Sequence, residues 1–174
     1  MGARLRSVFS FPNPVNEVAA RVVAGGVVLL CAFTLGFREP WLLVPLAYGF
    51  WARTLTGPTL SPLGQLATRL VAPRLSPTPR FVAGPPKRFA QSIGLLFSTT
   101  ALILWFGVGS AAATWAVVGV LGAFALAESA LGFCMGCRVF ALLMKVGLIP
   151  DDVCAACADI SLRYPEIGHQ PVAS

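Results

Sequence analysis

Apolar and polar residues segregate along this chain into blocks the length of whole helices. Four apolar runs, at about 18–37, 41–55, 89–108 and 113–137, are separated by polar or small-residue connections. Crossing a hydrocarbon core of roughly 30 Å takes about 20 helical residues at 1.5 Å each. The first, third and fourth runs therefore predict full-length membrane helices. Asn16 is placed to cap the first, and Arg21, one turn in, can extend its guanidinium to the headgroups. Cys31 lies mid-run with no partner nearby in sequence and reads as a packing residue. The second run is short and interrupted by Pro45, which predicts a span that is nearly upright or kinked. Trp41 starts it where an interfacial anchor belongs.

The stretch 56–88 is the one long polar connection, with Arg69, Arg74, Arg80, Lys87 and Arg88 and no acid. Ser61 is placed to cap a short helix whose Leu63, Leu66, Ala67, Leu70 and Val71 share a face. Such a helix lies in the headgroup layer or packs on the bundle as an ordinary connection; the pattern allows both. Gly94 on the third run, with Gly119, Gly122, Ala123 and Ala127 on the fourth, permits close helix approach.

Composition sharpens this picture. Only 11% of the 174 residues are charged and 56% are hydrophobic, whereas a soluble domain carries about 25% charge. Too little polar material is present to cover a globular surface, so lipid has to cover it. The net charge of +6 has no aromatic–basic nucleic-acid motif beside it and reads as the cytoplasmic bias of Lys and Arg. Those residues gather in the N-terminal lead, the 56–88 loop and the tail. The expected object is an all-α integral membrane four-helix bundle. It forms a single domain over 1–174, with both termini and a short tail, 138–174, in the cytoplasm.

Candidate chemistry lies in sulfur. Cys134 and Cys137 form one Cys-x-x-Cys at the end of the fourth run, and Cys154 and Cys157 form a second after sixteen intervening residues. Three residues apart, each pair shares a helix face. Two such pairs match the general spacing of a structural zinc site with four cysteine ligands. They equally suit dithiol–disulfide exchange or persulfide-based sulfur handling, in which the thiolate is the reactive form. A helix C-terminus, where the fourth run places Cys134 and Cys137, disfavours an anion. Packing thiols without chemistry are the bland alternative, and two ordered pairs in so small a chain weigh against it.

Glu128 is the one ionisable residue within 113–133, and an acid in an apolar helix normally has a partner. Arg21, Arg53, Arg88 and Gln91 are the candidates for an ion pair or hydrogen bond. A proton or anion pathway is the sharper alternative. Nine residues before Cys137, on a straight helix, Glu128 falls about 13 Å deeper and near the opposite face. That geometry argues against it as proton acceptor for this cysteine. His169 stands alone in a polar tail and reads as solvated.

Taken together, Ser61-Pro62-Leu63, Lys87-Arg88-Phe89-Ala90-Gln91, Glu128, Gly132-Phe133-Cys134-Met135-Gly136-Cys137 and the Cys154/Cys157 pair resemble a bacterial family of small four-span membrane proteins. That family is catalogued as a domain of unknown function, number 4395. The resemblance covers roughly Asn16 to Asp159 and implies an inner-membrane location. It also implies association with thioredoxin-like or sulfur-transfer proteins, or with a larger membrane complex. It lends no mechanism. The function expected is a membrane-embedded thiol protein working at the cytoplasmic face, with zinc as the one candidate cofactor. The competing readings are a non-enzymatic module whose four-cysteine zinc site docks a partner, and a transporter of a small sulfur species.

Overall fold

The structure, a computed structural model, describes residues 12–76 and 81–149. Cys154, Cys157 and His169 lie outside the described residues. Helix dominates. α1 (Glu17–Phe37) leads through a 3-10 turn (Pro40–Leu42) into α2 (Leu43–Thr56). Next come α3 (Pro62–Leu66), a π-helical turn (Ala67–Val71) and α4 (Ala72–Leu75). α5 (Gly84–Leu102) runs on as a π-helical segment (Ile103–Val108), and α6 (Ala111–Leu131) and α7 (Met135–Lys145) follow. Three helices are long and apolar enough to cross a membrane: Glu17–Phe37, Gly84–Val108 and Ala111–Leu131.

α1 packs along α6, α2 along α5, and α5 also contacts α6 and α7. The core between them holds Val27, Cys31, Leu43, Leu46, Phe50, Ala101, Val118 and Leu121. Cys31 is 2% exposed and faces the glycine gap at Gly122, as a packing residue should. Large apolar side chains also point away from the protein on every long helix: Leu29 and Phe37 on α1, Leu96 on α5, Leu126 and Leu131 on α6. Such surfaces are not covered by the protein itself and suit a lipid environment.

At one end of the long helices aromatic rings cluster, Trp41 on Phe106 at 5.6 Å and Trp105 on Trp115 at 4.9 Å. The opposite end is polar. There Val15–Asn16 and Phe81–Val82 pair as a two-residue antiparallel ladder. Asn16 caps α1 by accepting from the amides of Val18 and Ala19. Asn13 accepts from the Gly84 amide at 3.0 Å. These contacts hold the first turns of α1 and α5 side by side.

One sequence expectation is revised. The helix expected over 113–137 stops at Leu131 because Gly132 adopts φ +67°, a left-handed conformation that glycine takes without steric cost. The short helix after Ser61 keeps features of both readings open to it. Ser61 caps it, accepting from the Gly64 amide at 3.1 Å, and Ala67 is buried, while Leu66 and Leu70 are nearly half exposed, as a helix lying in the headgroup layer would leave them.

Candidate functional site

After Gly132 the chain restarts as a new helix, and this restart builds the site. Cys134, with extended φ and ψ, is the N-cap of α7, and its carbonyl accepts from the Arg138 amide. Cys137 follows one turn later on the same face. The Cys-x-x-Cys therefore sits at a helix N-terminus, not at the C-terminus expected from the uninterrupted run. The sign of the dipole argument reverses: the positive end of α7 favours a thiolate at Cys134.

α7 is pressed onto α5 by its own sequence. A Cβ at Gly136 would lie 2.5 Å from Ala90 Cα, so position 136 has to be glycine for the helices to meet this closely. Phe140 packs its ring, tilted, against that of Phe89 at 5.7 Å between centroids one turn further. This contact brings both sulfurs to Lys87, in the first turn of α5. Lys87 donates to Glu128 Oε1 at 2.7 Å, and both side chains are largely buried. Its charge acts on both cysteines.

The two sulfurs are unequal. The Cys137 thiol, as donor to the Cys134 sulfur, lowers the Cys134 pKa against its desolvation and the Glu128 charge; Lys87 adds to the lowering. Cys137, committed as donor and itself desolvated, is pushed up well beyond the ordinary thiol value. Exposure runs the other way. Cys134 is 8% exposed and Cys137 is half-buried. Both line a rim cavity of about 290 Å³ with Lys87, Glu17 and Arg138. Cys134 also lines an inner cavity of about 220 Å³ with Glu128 and Gln91.

The residues expected around Glu128 go to different tasks. Arg21 donates to the carbonyls of Ser129 and Ala130, at 3.2 and 2.9 Å, satisfying carbonyls orphaned at the end of α6. Arg53 donates to Gln91 Oε1 at 3.0 Å and to Ser61 Oγ at 3.4 Å. Arg88 lies on the exposed face of α5. The partner of Glu128 is Lys87, a residue outside the expected set. The buried stripe of α5, Gly84, Lys87, Gly94, Ser98 and Ala101 in steps of three, four and seven residues, turns Lys87 inward and Arg88 out. Because the helix breaks at Gly132, Glu128 and Cys134 line one cavity, while Cys137, the cysteine for which the straight-helix separation was expected, does not line it. Among the described residues no group of side chains is arranged to hold a metal ion.

A family model described as a domain of unknown function, DUF4395, matches residues 15–145, about three-quarters of the chain. The chain belongs to the DUF4395 family. The DUF4395 match takes in Lys87, Glu128, Cys134 and Cys137 and ends ahead of Cys154 and Cys157, so the second pair lies beyond the shared region. No curated protein and no solved structure matches this DUF4395 chain.

Proposed function

We propose that this protein is a four-span inner-membrane thiol protein, with both termini cytoplasmic, that exchanges electrons between the Cys134/Cys137 pair and a soluble dithiol partner. The observation that carries the reading is the position of Cys134: N-cap of α7, hydrogen-bonded by Cys137, beside Lys87. The fourth span is α2. Its 14 residues with the preceding 3-10 turn give about 27 Å of helix, close to the thickness of the hydrocarbon core.

The asymmetry of the pair suits a defined order of steps. In the oxidised form a partner thiolate attacks the more accessible Cys137 sulfur. The Cys134–Cys137 bond breaks and Cys134 leaves as a thiolate, its charge held by the Lys87 ammonium and the α7 dipole. A low-pKa thiol is the better leaving group. The partner's second thiolate then attacks the partner sulfur of the mixed disulfide and releases Cys137, which takes up a proton. The net result is one disulfide reduced here and one formed in the partner. Cys154 and Cys157 are proposed as a second pair in the same exchange. Glu128 is proposed to compensate the largely buried Lys87 ammonium, at the cost of some of that charge's pull on the Cys134 thiolate.

The experiment is a redox titration of the full chain in detergent against glutathione buffers, with the disulfide located by proteolysis and mass spectrometry. A Cys134–Cys137 disulfide that thioredoxin reduces is expected. A folded chain whose Cys134 and Cys137 stay reduced in oxidised glutathione, or one that holds stoichiometric zinc on all four thiols, overturns the reading.

A further inference from the structure

A second cavity of about 250 Å³ opens between the first turns of α1 and α5 and the end of α2. Its polar walls are Arg53, Lys87, Gln91, Asn16 and Thr68, and none of its lining residues is an acid. Arg53 is 5% exposed. Its described contacts are two uncharged oxygens, on Gln91 and Ser61, and the Phe50 ring 4.6 Å from its guanidinium carbon. Glu128 acts on Arg53 from a distance, while its carboxylate is taken by Lys87 at 2.7 Å. A guanidinium withdrawn from water with only neutral partners is expensive, and an anion is the usual compensation. Arg53 Nη2 has no hydrogen bond among the described residues. α1 and α5 both direct the positive ends of their dipoles toward this cavity.

We propose that this cavity is a binding site for one small tetrahedral oxyanion of the phosphate or sulfur-oxide type, clasped by Arg53 and Lys87. The volume, on the order of eight water molecules, accommodates such an ion with some of its water. The planar guanidinium suits oxyanion oxygens in a way that a point charge does not. Neither sulfur of the Cys134/Cys137 pair lines the cavity, so the inference does not require the thiol reading, although Lys87 serves in both. A free oxyanion and the phosphate of an anionic lipid offer the same chemistry at this rim.

The test is calorimetric titration of the full chain, delipidated in neutral detergent, with sulfate, thiosulfate and phosphate over a chloride background. Native mass spectrometry is run in parallel for a retained anionic phospholipid. Saturable binding at one site per chain is expected, weakened by at least about tenfold in Arg53→Gln and unchanged in Cys134→Ser. Ala20→Leu narrows the cavity from the α1 wall without altering a charge, and it decides the matter where Arg53→Gln fails to fold. Binding of the free ions establishes a soluble ligand. Retention of one anionic lipid that Ala20→Leu abolishes, with no free-ion binding, establishes the lipid phosphate as the source. Neither kind of binding, or binding indifferent to a folded Arg53→Gln or to Ala20→Leu, overturns the proposal.

Discussion

Cys134 and Cys137 differ in environment by more than their shared motif implies. Hydrogen bonds from Cys137, then the nearby Lys87 charge, favour the Cys134 thiolate. Alkylation of Cys134 by a small reagent should therefore persist below the ordinary thiol pKa of about 8.5 and decline only as pH falls through the lowered folded value. The linked stability has the same sign: it is present above the unfolded pKa and lost on acidification through the folded one. At pH 7 Cys134 should react at least about tenfold faster than Cys137 with methyl methanethiosulfonate, despite its lower exposure. Two substitutions move the profile in opposite directions. Lys87→Met removes a cation and should raise the pH at which Cys134 reacts, whereas Glu128→Gln removes an anion and should lower it. Mass-spectrometric alkylation profiles of the two variants check this, and parallel shifts would refute the assigned electrostatics. Stability separates the same pair in another way. Glu128→Gln leaves a largely buried ammonium unpaired and should cost about 3–5 kcal/mol, while the double change Lys87→Met with Glu128→Leu should cost far less. Thermal unfolding in detergent measures the difference.

The element that makes the site, α7, exists because a helix ends a few residues before it starts. Apolar periodicity alone showed one run to 137, since Gly132 and Gly136 are compatible with a membrane helix and carry no hydropathy signal. What separates their roles is three-dimensional. Gly132 takes a left-handed φ, and Gly136 touches the α5 backbone. The sequence did make visible the α1 cap at Asn16, the Ser61 cap and the long helices, because caps and apolar length are local properties. Lys87 opposite Glu128 was not visible, because it depends on which side of α5 faces inward. Gly136→Ala places a methyl group against Ala90 Cα, which cannot move as a flexible side chain does. It should destabilise by about 1–3 kcal/mol and, by lifting α7, bring Cys134 reactivity toward that of an ordinary thiol. Gly132→Ala should cost roughly 1–2 kcal/mol through its φ. Retained Cys134 reactivity in a folded Gly136→Ala protein would show that the α5 contact does not position the thiol.

Among the described residues, the charges of the site and three of the four tryptophans sit at opposite ends of the long helices. Arg21, Arg53, Lys87 and Glu128 gather with the cysteines at one end, while Trp41, Trp105, Phe106 and Trp115 mark the other. Tryptophans anchor helix ends at the interfaces of a bilayer, and Lys and Arg gather on its cytoplasmic side. On the proposed orientation the thiol site faces the reducing side, where a pair of cysteines stays free unless a partner oxidises it. Ser110 and Thr59 test this orientation at opposite ends. Ser110 precedes α6 and makes no side-chain cap bond, and Thr59 is exposed between α2 and α3, so cysteine is tolerable at both. In a background with the native cysteines changed to serine, a membrane-impermeant maleimide applied to spheroplasts should label Ser110→Cys at once. It should label Thr59→Cys only after lysis. The reverse order would turn the protein over in the membrane, and would place Cys134 and Cys137 where a disulfide between them is the resting state. The same helices would then have to accommodate the basic 56–88 loop outside, against the charge bias that orients them.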